Sequence, residues 1–178
     1  LTWDGKEKYD HFAGRAYVRL HQDPEYERLQ PAIEEVLHAL ERGELREEVN
    51  RILLAQMATM HALNARYDLL VWESDIVRAG LLQKALALLE QSPHVFRPRE
   101  GKYAGALVMD ASPVIPGLED PFFVLLRSNG TATYYAKDIA FQFWKMGILE
   151  GLRFRPYENP YYPGLRTSAP EGEAYTPK

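Results

Sequence analysis

Cysteine is absent from the 178 residues, which excludes disulfide staples, thiolate zinc sites and cysteine nucleophiles together. Long apolar runs are missing as well. None approaches the ~20 residues a membrane-spanning helix needs, and no signal-peptide pattern opens the sequence. Neither sign of charge dominates: 21 Lys and Arg stand against 25 Asp and Glu, a net charge of −4, so the surface as a whole is not built to adsorb nucleic acid. There is no G-x-x-x-x-G-K-[ST] loop, no G-x-S-x-G elbow and no H-E-x-x-H or H-x-x-E-H spacing. His11, His21, His38, His61 and His94 are scattered, so no metal site is expected.

With 46% hydrophobic and 26% charged residues, the composition is that of a globular chain, one domain or one domain with an appendage. The first third reads as helical. A helix is expected from about Tyr9 to His21. Asp23-Pro24-Glu25 offers an N-cap and a first-turn proline for a second helix, whose apolar stripe is Ile33, Val36, Leu37 and Leu40 and whose stop is Gly43. A third follows from near Glu44, with Leu45, Val49, Ile52, Leu53, Met57, Met60 and Leu63 at helical spacing. The short link predicts that the second and third helices pack as an antiparallel pair. Between Pro24 and Asn50, eight Glu face three Arg, an acidic helical region.

Beyond Arg66 the pattern changes to short apolar runs and turns. Leu69 to Trp72 reads as a strand, Ser74 or Asp75 as the cap of a helix over Ile76–Glu90, and Ile76, Leu82, Ala85, Leu86 and Leu89 as its inner face. Strands are expected at Val95–Arg97, Tyr103–Met109 and Leu152–Phe154. From Tyr157 onward, Pro160, Pro163, Pro170, Pro177 and two glycines predict a mobile tail without regular structure.

The densest stretch is Ser128 to Ala140. Asn129-Gly130 between Phe122–Leu126 and Thr131–Tyr135 predicts a type I′ hairpin, followed by a helix from about Lys137 whose spacing is set by Ile139, Ala140, Phe143 and Trp144. Tyr134 and Asp138 can then project toward one pocket, where a ring face and a carboxylate suit a cation. Asp138 can equally be a helix-dipole or capping residue, and Tyr134 a cross-strand aromatic, with Tyr135 pointing to the opposite face. Glu73 and Ser74 read equally as a strand-end site or a helix cap, and Lys137 as a solvated or structural lysine.

Gly130-Thr131-x-Thr133-Tyr134-x-x-Lys137-Asp138-Ile139-Ala140 resembles the D-G-T-x-x-Y-x-x-[RK]-D-I-A segment of class I arginyl-tRNA synthetases. Tyr67 to Ser74 is similar to the family's F-D-V-W-x-x-E-S strand and turn, and Gly105 to Asp110 to the strand before the hairpin. Order and spacing fit the middle of the catalytic region across most of the chain. Asn129 departs from the usual Asp, and neither an H-I-G-H-type motif nor a K-M-S-K-type loop is present. The chain opens at Leu1 without an initiator Met and reads as an internal piece of such an enzyme.

The resemblance implies an α/β fold, part of a Rossmann-like core carrying an inserted, largely helical region. Residues 1–66 would be the insertion, 67–157 the core portion with its hairpin, and 158–178 a Pro/Gly-rich loop or tail. It also implies an intact, cytoplasmic, monomeric enzyme that activates L-arginine with ATP and magnesium and transfers it to tRNA(Arg). Tyr134 and Asp138 would bind the arginine side chain, a bidentate carboxylate–guanidinium pair contributing about 1.5–3 kcal/mol. No catalytic residue, metal ligand or bound cofactor is implied for the piece itself, which should be inactive alone. Arg97, Arg99, Lys102, Arg153 and Arg155 are candidates for tRNA contact. The alternative from another class is a non-catalytic helical interaction module with a merely structural hairpin-helix.

Overall fold

The structure, a computed structural model, describes residues 1–175. It mixes helices and sheets, and it divides into two compact units: Leu1–Leu70 with Arg155–Thr167, and Val71–Phe154 with the residues from Ser168 onward.

In the first unit, α1 (Tyr9–His21), α2 (Tyr26–Glu41) and α3 (Arg46–Ala62) follow one another. Helix α2 starts later than Asp23-Pro24 predicts, because Asp23 accepts the Glu25 N–H at 2.9 Å in a turn ahead of the helix. Gly43 ends α2 as expected, at φ 74°. The expected antiparallel pairing does not form: α3 packs on α1, and Val36, Leu37 and Leu40 of α2 remain exposed. What α3 buries is Met57, which with Leu53 and Leu54 meets Leu70, Tyr157, Tyr162 and Leu165.

That cluster overturns the expectation of a mobile tail. Leu165 and Tyr162 are core residues, and β6 (Arg166–Ser168) pairs in parallel with β1 (Leu69–Leu70). The loop before it is ordered by Asn159. Its Oδ1 accepts the N–H groups of Tyr161 and Tyr162, and its amide donates to the carbonyls of Tyr157 and Tyr162. A side chain thus satisfies the backbone that a strand would otherwise satisfy, and a Pro/Gly-rich stretch becomes buryable. The last three residues of the expected tail lie outside the described residues.

The second unit is built on an antiparallel sheet of β2 (Val95–Phe96), β3 (Leu107–Asp110) and β4 (Phe122–Leu126), in that order. Against β4 packs α6 (Tyr134–Lys145), and α4 (Glu73–Arg78) and α5 (Leu81–Leu89) pack on α6. The single helix expected over Ile76–Glu90 is two helices, broken where Gly80 adopts φ 69°. Its inner face is as read: Ile76, Leu82 and Ala85 are buried, with Leu86 and Leu89 packed beside Val95, Leu107, Leu125 and Ala136. A further pair, β5 (Arg153–Pro156) with β7 (Glu173–Ala174), presses Phe154 onto Trp144, ring centroids 5.5 Å apart.

Candidate functional site

The expected second hairpin strand is not there. After Gly130 a single bridge joins Ala132 to Leu126, and α6 has begun by Tyr134. The turn is a three-residue loop rather than type I′: the Gly130 N–H reaches the Arg127 carbonyl at 2.8 Å, and Gly130 alone among its residues has positive φ, at 85°. Asn129 serves it through its side chain, Oδ1 accepting from the Thr131 N–H at 3.0 Å. Thr133 then ends strand pairing. Its hydroxyl donates to the Val124 carbonyl at 2.5 Å, and its N–H to the Leu125 carbonyl at 2.9 Å. That hook fixes the start of α6 against β4.

Tyr134 and Asp138 therefore lie on one helix, four residues apart and on one face, both exposed. Helical geometry also corrects the orientation of Tyr135. Consecutive residues are about 100° apart, not opposed, and the two tyrosine rings stand 4.1 Å apart. Tyr135 turns inward to Phe123 and the core, leaving Tyr134 as the accessible aromatic. The Tyr134 phenol is held above its ordinary pKa, first by its hydrogen bond with Tyr135, then by desolvation and by the negative charge of Tyr135 and Asp138. The face thus presents a ring, a phenol and a carboxylate that sense one another.

Lys137 points elsewhere. Its ammonium lies 2.8 Å from Oε1 of Glu73, the first residue of α4. Ser74 and Asp75 are not the caps expected from sequence. Both are buried within α4, whose N-cap position is Trp72 with no side-chain cap bond. Asp75 instead accepts a hydrogen bond from the Ser168 hydroxyl at 2.7 Å, and that same oxygen accepts the Trp72 N–H at 2.9 Å. Beside it, a cavity of about 200 Å³ is bordered by Asp75, Arg78, Gly151, Leu152, Arg153 and Ala169. Sequence reasoning missed the Asp75–Ser168 and Glu73–Lys137 pairs. Only the Glu73-Ser74 turn carried a signal for either, since the partners lie 93 and 64 residues away.

Among the candidate tRNA-contacting cations, Arg97 Nη2 lies 3.9 Å from Glu90, and Lys102 is 2.8 Å from Asp120. Lys102 and then Tyr103 hold the Asp120 carboxyl down to about 2. Arg99, Arg153 and Arg155 are exposed. Among the described residues, no group of His, Asp and Glu is placed to hold a metal ion, and no helix is long and apolar enough to cross a membrane.

No family model matches the chain. Curated proteins do. An "Arginine--tRNA ligase" of Deinococcus radiodurans is 51% identical over 173 residues, 97% of this chain and 28% of that protein. Those of Pyrococcus abyssi and Pyrococcus furiosus are 43% and 42% identical over 93% and 92% of the chain, each alignment taking in 26% of the relative. The chain thus spans about a quarter of the length of the curated relatives it matches.

Proposed function

The chain being a homologue of arginine–tRNA ligases along nearly its whole length, we propose that it serves as part of such a ligase and supplies one wall of the arginine side-chain pocket. The whole protein would activate L-arginine with ATP to the arginyl-adenylate and transfer the arginyl group to tRNA(Arg), as a cytoplasmic monomer. Magnesium would accompany the nucleotide. Within that enzyme, 67–157 would belong to a Rossmann-like class I core, with 1–66 inserted as a helical region and 158–178 connecting onward.

The observation that carries the pocket is the placement of Tyr134 and Asp138 one helical turn apart on the exposed face of α6. A carboxylate can accept two N–H groups of a guanidinium side by side, and a neighbouring ring face favours the same planar cation. Thr133 and the Arg127–Thr131 turn anchor the helix start to β4, so the pair is presented from a rigid element. What this chain contributes is positioning and selectivity rather than bond making.

The test is arginine-dependent ATP–pyrophosphate exchange by the full-length protein. Asp138→Ala is expected to weaken arginine at least about ten-fold, or about 1.4 kcal/mol. Unchanged kinetics would remove Asp138 from the pocket.

A further inference from the structure

The cation closest in sequence to Asp138 is Lys137, and its side chain is only 12% exposed. Burying a lysine head is costly unless a counter-charge meets it. Glu73 meets it at 2.8 Å from across the unit, on a helix that packs against α6. Glu73 itself stands on a fixed platform. It follows Trp72, whose N–H is bound by Ser168 Oγ, and precedes Asp75, whose carboxylate is bound by that same hydroxyl.

We propose that Glu73 is a positioning residue for the arginine pocket: it holds the Lys137 ammonium on the α4 side of α6 and so keeps that cation from pairing with the carboxylate of Asp138. Adjacent helical residues diverge by about 100°, so with Glu73 present Lys137 and Asp138 serve different partners. Without it, the flexible four-carbon stem of lysine lets the ammonium bend toward Asp138 and compete with an incoming guanidinium. This role presupposes the arginine pocket of Asp138.

The experiment compares KM for arginine and kcat in pyrophosphate exchange by the full-length protein carrying Glu73→Gln, Lys137→Met, both together, or Asp138→Asn. Glu73→Gln is expected to raise KM about ten-fold with kcat held within about two-fold, and the double variant to return KM close to the parent. A merely structural ion pair predicts the reverse for the double variant, because both partners are then lost. Glu73→Asp, with the same charge on a stem one methylene shorter, carries the same comparison should Glu73→Gln fail to fold. A KM that stays unchanged in Glu73→Gln while Asp138→Asn loses arginine overturns the role of Glu73 alone, as does a KM rise that persists in the double variant. An unaffected Asp138→Asn overturns the pocket and this role with it.

Discussion

Ser168 Oγ lies 2.7 Å from Oδ2 of Asp75, and both residues are buried. The hydroxyl also accepts the Trp72 N–H, so one small side chain serves two polar groups at the start of α4. Ser168→Ala deprives a buried carboxylate of a donor and a backbone N–H of its acceptor. A loss of about 2–3 kcal/mol is expected, read from the midpoint of denaturant unfolding; a loss under about 0.5 kcal/mol would show that other groups carry Asp75.

Leu165 is 2% exposed between Met57 and Tyr162, in a stretch whose prolines and glycines read as a loose tail. Leu165→Ala should cost about 2–5 kcal/mol, the range for a large-to-small change in a packed core. A thermal unfolding midpoint indistinguishable from the parent would return the segment to the surface.

Two glycines separate crowding from backbone strain. A methyl group on Gly172 would sit 2.4 Å from the carbonyl carbon of Phe154, with neighbouring backbone atoms at 2.5 and 2.6 Å. Gly172→Ala must therefore part β5 from β7, at an expected cost of about 3 kcal/mol or more. At Gly130 the space is open and only φ 85° opposes a side chain, so Gly130→Ala should cost about 1–2 kcal/mol. Denaturant titration of the two variants gives the order directly.

The Tyr162 hydroxyl is buried with no hydrogen-bond partner among the described residues. Tyr162→Phe is expected to leave stability unchanged or raise it by about 1 kcal/mol near neutral pH. Burial first, then the neighbouring Tyr67, holds the phenol above its ordinary value. An unfolded tyrosine loses its proton near pH ~10 while the folded one keeps it. The contribution is therefore fully present below ~10 and is lost as pH rises through the folded value. Stability should fall on the alkaline side, and unfolding curves between about pH 9 and 11 should flatten in Tyr162→Phe.

Much of the fold was legible where consecutive residues set it. Phe122–Leu126 is a strand and Tyr9–His21 a helix as their spacing predicts. The inner face of α5 is likewise where periodicity puts it. What spacing cannot convey is the partner. Val36, Leu37 and Leu40 form a proper stripe, yet α3 packs on α1. Thr131–Tyr135 has the residues of a strand, but the Thr133 hydroxyl and N–H bind β4 carbonyls and turn the chain into α6. At the site, Tyr134 and Asp138 stood out through motif resemblance, whereas Glu73–Lys137 and Asp75–Ser168 depend on chain segments brought together by folding.

The most direct measurement of the proposed arginine pocket compares arginine with citrulline, its neutral isostere, in pyrophosphate exchange by the full-length protein and by Asp138→Asn. The parent should favour arginine by about three orders of magnitude in kcat/KM or more, and Asp138→Asn should cut that preference at least about ten-fold. A preference undiminished in Asp138→Asn would contradict the assignment of Asp138 to the guanidinium.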